Sequence, residues 1–157
     1  MLKNKNFFFR FNFDEKIGFG HLARCLKIAD KLEYNSKFIV DKNNNYDFTK
    51  ELNYKIHYLY NSKSFFNELE DAKKVYNIVK KSNFPVIFVD DYRIGSIWLD
   101  YFKKKNMKLV VLDDLLNRNL NCDLYINYKL DTTDEHKKKL DYFIKKKTQK
   151  LWDQNIP

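Results

Sequence analysis

The run Pro85-Val86-Ile87-Phe88-Val89 constrains the fold more than any other stretch of this chain. An unbroken apolar run bounded by polar residues reads as a strand covered on both faces, because a strand with one wet face would alternate. Strands of that kind belong to parallel sheets, whose crossover connections lay helices over the faces. The rest of the chain supplies matching parts. Phe7 to Phe13, Lys37 to Val40, Lys55 to Tyr60, Leu109 to Leu112 and Leu124 to Ile126 read as further strands. Phe19 to Leu32, Phe65 to Lys81 (with Ser64 as its cap), Ile94 to Lys105 and Glu135 to Lys147 read as helices, and Asn43 to Asn45 as a loop. Strand and helix alternate throughout, which predicts an α/β fold: a Rossmann-like parallel sheet with helices on both faces. Residues 1–130 make up that domain, and 131–157 form a helical C-terminal extension.

Composition narrows the class. The chain has 157 residues, 44% hydrophobic and 17% aromatic, enough for a folded core and against disorder. No apolar run approaches the ~20 residues that span a bilayer, and the polar start leads straight into a strand, so neither a membrane partner nor a signal peptide is expected. Cys25 and Cys122 are the only two cysteines, too few for a disulfide scaffold, and a reducing cytoplasm fits them. No His-x-x-x-His or Cys-x-x-Cys spacing is present, so no metal is expected, and no Gly-x-Ser-x-Gly elbow supports a serine hydrolase. The net charge of +9 rests on lysines interleaved with Leu, Phe and Tyr at helical spacing. Those are solvated helix faces, and arginine, the usual base reader, is scarce, so no nucleic-acid partner is expected.

In open parallel sheets, ligands bind outside the carboxyl ends of the strands. Three polar motifs fall there: Gly18-Phe19-Gly20-His21 after the first strand, Asp90-Asp91-Tyr92 after Phe88-Val89, and Asp113-Asp114 after Val111-Leu112. Two of the chain's three glycines stand in the first motif, where they admit close backbone approach to a ligand or simply make a turn that needs positive φ. His21 lies in the first turn of a helix, where backbone N–H groups favour a neutral imidazole able to act as a general base; the alternative is a histidine that caps or packs. Arg24, one turn on, reaches either an anionic ligand or a surface carboxylate. Asp90 and Asp91 either orient His21 and a substrate hydroxyl or cap the helix at Ile94. Tyr92 contacts a sugar or packs on the rim, and one of Asp113 and Asp114 ties down the following turn. His57 and His136 have no evident partners and read as structural. Gly18-x-Gly20-x-x-Ala23 also matches the dinucleotide fingerprint, with Asp41 near the expected distance. Against that reading, the glycines come several residues after the strand, and His21 has no task in it.

At these residues the chain resembles the UDP-sugar hydrolases of pseudaminic acid biosynthesis, which release UDP from UDP-2,4-diacetamido-2,4,6-trideoxy-β-L-altropyranose. Their pattern, Arg-x-Asp followed by Ile-Gly-x-Gly-His-x-x-Arg-Cys-Leu, is met by Arg10, Ile17, Gly18, Gly20, His21, Arg24, Cys25 and Leu26, with Asn12 in place of the Asp. Val89-Asp90-Asp91-Tyr92 and the stretch from Leu112-Asp113-Asp114-Leu115 to Asn121-Cys122-Asp123-Leu124 look like two further family segments. The resemblance implies the N-terminal half of a GT-B fold, metal-independent attack of water on the anomeric carbon, and no cofactor. It gives His21 the task of activating or positioning that water. Gly18, Phe19, Gly20, Arg24, Asp91 and Tyr92 would line the substrate site, with Arg10, Asp90, Asp113 and Asp114 in support. Family members carry a second, nucleotide-holding domain that has no counterpart before Pro157. A fragment, a split reading frame or a separately encoded C-terminal nucleotide-binding domain acting in trans would account for that, and the chain alone is expected to hydrolyse UDP-sugar poorly. A non-catalytic ligand- or partner-binding domain is the alternative from another class.

Overall fold

A computed structural model describes residues 6–13, 19–32, 35–42, 53–59, 65–129, 133–145 and 147–152. Seven strands make one all-parallel sheet: β1 (Asn6–Phe11), β2 (Ser36–Asp41), β3 (Lys55–Leu59), β4 (Pro85–Asp90), β5 (Lys108–Leu112), β6 (Leu124–Asn127) and β7 (Gln149–Trp152). Four helices connect them: α1 (Gly20–Leu32), α2 (Glu68–Val79), α3 (Ser96–Lys103) and α4 (Asp134–Phe143). The strand order is β3-β2-β1-β4-β5-β6-β7. The chain therefore winds outward from β1 to β3, crosses back through α2, and winds outward again from β4 to β7. This is the α/β, Rossmann-like parallel sheet that the alternation of strands and helices predicts.

Period-two alternation sorts the strand side chains onto two faces. Phe7, Phe9 and Phe11 of β1, Phe38 and Val40 of β2, Phe88 of β4, and Val110 and Leu112 of β5 pack with Leu22, Cys25 and Ala29 of α1. Phe8, Ile39, Ile87, Val89, Leu109, Val111 and Tyr125 pack on the opposite face with α2, α3 and α4. Helices thus cover both faces, with α1 the one helix on its face among the described residues. Phe9 is fully buried, stacked on Phe88 at 4.6 Å between ring centres and edge-on to Phe38 at 5.5 Å. Aromatic pairs at these separations add to the burial of their area.

Two helix boundaries differ by more than two residues from the sequence-based expectation. The predicted cap Ser64 lies outside the described residues, as does the loop 43–45, and α2 instead begins after Asn67, whose side chain accepts from Glu70 N at 3.0 Å. Glu68, Glu70 and Asp71 follow in the first turn, where the helix dipole favours acids. Glu68 also reaches α3 and accepts from Gly95 N at 2.9 Å and Trp98 N at 3.0 Å, supplying the cap that Gly95 lacks. The helix expected over Glu135–Lys147 ends at Phe143. Ile144 turns to extended backbone and bridges Leu120, and the chain returns along β6 as β7, with Gln149 N bonded to Asp123 O at 2.9 Å. The lysine-rich spacing masked this turn, because burial of Leu140 and Ile144 against the core sets the end of the helix. Among the described residues, no helix is long and apolar enough to cross a membrane.

Candidate functional site

The sheet reverses its winding between β1 and β4, and in open parallel sheets ligands bind outside the carboxyl ends of the strands at such a point. Asp90 ends β4 on the face covered by α1, and His21 stands in the first turn of α1. Both are buried, with His21 Nδ1 2.6 Å from Asp90 Oδ1. Arg24 lies one turn further along α1 and grips the same carboxylate as a fork, Nε to Oδ2 at 2.9 Å and Nη2 to Oδ1 at 3.0 Å. Arg24 Nη2 is also 3.0 Å from His21 Nδ1, because both donors converge on one oxygen. A carboxylate can only accept, so the imidazole places its Nδ1–H on Asp90; in the neutral ring Nε2 then carries the lone pair.

A second layer surrounds this pair. The Tyr92 ring meets His21 edge-on, 4.9 Å between ring centres. Tyr92 donates its hydroxyl to Asp114 Oδ1 at 2.6 Å, and its oxygen lies 2.6 Å from the hydroxyl of Tyr128. The Tyr128 ring lies under the Arg24 guanidinium, 4.1 Å from Cζ to the ring centre, within cation–π range. Lys129 pairs with Asp114 at 2.5 Å. Burial raises the tyrosine pKa values of both Tyr92 and Tyr128, and hydrogen bonding with Asp114 raises them further, so both hydroxyls are held protonated. Burial opposes the charge on Asp114, but the hydrogen bonds from Lys129, Tyr92 and Tyr128 outweigh it and hold that carboxyl at about 2. Burial likewise opposes the Arg24 cation, and Asp90 more than restores it. Arg24 and Lys129 therefore balance Asp90 and Asp114.

The other expected residues lie elsewhere. Asp91 faces away from His21 and pairs with Arg93 at 2.6 Å and with Arg10 at 4.0 Å. It also accepts from Arg93 N at 3.0 Å, so it closes the turn into α3 and does not join the His21 group. Arg10 is fully buried among carboxylates on the α2 side. It donates to Asp71 at 2.6 Å and 3.2 Å, to Asp41 at 2.7 Å and to Phe11 O at 2.9 Å. Asp41, the ribose-binding candidate of the dinucleotide reading, is held by Arg10 and by Arg93. Asp113 is fully buried and accepts from Leu115 N, Leu116 N and Arg118 Nη1, tying down a loop in which Leu116 adopts φ 45°. Phe19 is about half exposed at the start of α1, stacked on Phe13. Gly20 opens α1 without positive φ, and a Cβ there would stand 3.5 Å from Arg24 Nη1, an ordinary contact. Gly18 and Ile17 lie outside the described residues. His57 sits on β3, and buried His136 receives the Asn127 amide at Nε2.

Tyr128 and Lys129 are the site residues that the sequence reading missed. Both follow β6 directly, and the strand-end rule that singled out Asp90 and Asp114 applies to them equally. Among the described residues, no group of three or more His, Cys, Asp or Glu side chains could hold a metal ion. Compared with family models and with curated proteins, the chain matches none.

Proposed function

We propose that this strand-end site is the base-bearing half of a nucleotide-sugar hydrolase, acting on UDP-2,4-diacetamido-2,4,6-trideoxy-β-L-altropyranose as the sequence resemblance implies. The observation that carries the proposal is the buried 2.6 Å contact between His21 and Asp90 at the point where the sheet reverses. Asp90 orients the imidazole, and Nε2 accepts a proton from water as its oxygen bonds to the anomeric carbon. The bond from that carbon to the UDP oxygen breaks, and its electron pair leaves with UDP, which needs little acid assistance. Arg24 and Tyr92 stand beside the imidazole, Gly20 and Phe19 directly precede His21 in the chain, and the GT-B arrangement implied by the resemblance would bring the nucleotide-holding wall from a second domain.

The test is UDP release with the chain alone and with a nucleotide-binding domain supplied. Little turnover alone is expected, and robust turnover alone would refute the need for a second wall. In the reconstituted protein, His21→Ala should still bind sugar nucleotide and lose hydrolysis; unchanged turnover removes His21 as the base. The dinucleotide alternative predicts fluorescence enhancement of NADH. The engagement of Asp41 by two arginines weighs against it.

A further inference from the structure

The contacts around His21 close into a ring. His21 holds Asp90, Asp90 holds Arg24, Arg24 stacks on Tyr128, Tyr128 meets the Tyr92 hydroxyl, and Tyr92 returns to the edge of His21. Three elements contribute: α1 gives His21 and Arg24, the end of β4 gives Asp90 and Tyr92, and the end of β6 gives Tyr128. We propose that Tyr128 is the positioning residue of this ring: by clamping Arg24 against Asp90 and anchoring Tyr92, it fixes the tautomer and the plane of His21.

The chemistry of each link supports this assignment. Arg24 shares Asp90 Oδ1 with His21, so any rotation of its guanidinium changes what His21 Nδ1 meets. The fork to Asp90 fixes two atoms of Arg24 in the plane of the carboxylate, and the Tyr128 ring blocks one face of that plane. Tyr128 is itself held at its hydroxyl, 2.6 Å from that of Tyr92, whose own proton is committed to Asp114. The charged and titratable groups next to His21 are Asp90, Arg24 and Tyr92, and behind them stand Tyr128, Asp114 and Lys129. Neither composition nor helix spacing marks Tyr128, yet it touches two of the three groups that touch His21, Arg24 and Tyr92.

The catalytic consequence rests on the hydrolase reading, but the positioning itself is testable without substrate. In protein carrying nitrogen-15 in its histidines, His21 should show a single Nδ1–H tautomer, with a downfield Nδ1–H proton shielded from exchange with water. Tyr128→Leu removes the ring under Arg24 and should lose that proton signal and mix the tautomers, with the backbone amide spectrum otherwise preserved. Tyr128→Phe keeps the ring and should keep the signal. Arg24→Lys, which retains the charge but neither the fork nor the flat face, should lose it as Tyr128→Leu does, and decides the matter if the leucine variant does not fold. Retention of the signal in Tyr128→Leu or in Arg24→Lys overturns the proposal. With the reconstituted protein, Tyr128→Leu should lower kcat by roughly tenfold to a hundredfold with little change in KM, since misplacing a reacting group by about 1 Å costs that much. Loss of the imidazole signal in Tyr128→Leu together with absent UDP release from the reconstituted parent would retain the positioning role and refute the hydrolase reading.

Discussion

Replacing Arg10 with methionine should be among the most damaging single changes in this protein, and for an electrostatic reason. Arg10 and Arg93 face Asp41, Asp71 and Asp91, a cluster with a net charge of −1. Methionine fills much of the aliphatic volume but leaves one guanidinium for three carboxylates, a net charge of −2. Asp71 and Asp91 are both buried, and Asp71 loses the two hydrogen bonds it accepts from Arg10. Removing one partner of a buried pair costs about 3–5 kcal/mol, a large share of the roughly 5–15 kcal/mol that stabilises a typical domain. At about 2–4 °C per kcal/mol for a chain of this size, Tm should fall by roughly 10 °C. The sign of the pH dependence separates charge from packing. Burial raises the Asp91 pKa, and the hydrogen bonds from Arg93 together with the nearby Arg10 charge overcome this and depress it. A depressed carboxylate stabilises the fold above its unfolded pKa of about 3.9, and that gain disappears as pH falls through the folded value. Loss of Arg10 shrinks the gain, so the deficit of the variant should be full at neutral pH and narrow as the carboxylates protonate. Urea unfolding at pH 7 and pH 3 measures both. The double variant Arg10→Met/Asp71→Asn restores the net charge to −1, keeps an acceptor for the Trp98 indole N–H, and should recover most of the loss. A deficit below about 1 kcal/mol at pH 7, well under the range for a broken buried pair, would refute the argument, as would a deficit independent of pH.

Three further outcomes are expected. Asp114, held at about 2 against an ordinary value of 3.8, should contribute stability that is complete above pH 4 and lost towards pH 2; Asp114→Asn should flatten that part of the stability profile in urea titrations. Phe9→Ala should cost about 3–5 kcal/mol in the same assay, whereas Phe65→Ala, at a residue 84% exposed, should stay within about 0.5 kcal/mol. Burial pushes the Cys25 thiol well above its usual range and the Cys122 thiol to about 12, so neither should react with a disulfide reagent in the folded protein at pH 8, and labelling should follow the unfolding transition.

Much of the fold was legible because the central strands are apolar on both faces, as only a covered parallel sheet requires. The C-terminal strand was not, since β7 is a four-residue edge strand behind a lysine-rich helix and carries almost no periodic signal. The site lies between these cases, and the strands' own alternation divides it. On β4 the residues Val86 and Phe88 face α1, and the same parity carries Asp90 and Tyr92 to that side, towards His21. On β5, Val110 and Leu112 lead to Asp114; on β6, Leu124 and Ile126 lead to Tyr128. The opposite parity carries Arg10, Asp41, Asp91 and Asp113 away, three of them into the ionic cluster beneath α2 and the last into the loop before β6. Adjacent aspartates therefore have separate tasks: Asp90 holds the imidazole while Asp91 holds an arginine, and Asp114 holds the tyrosines while Asp113 holds a turn. Reading each pair as one acidic motif conceals this, and extending the strand period two residues past its last apolar side chain recovers it. The same step finds Tyr128, which has no neighbour of its own type to draw attention to it and closes the ring around His21.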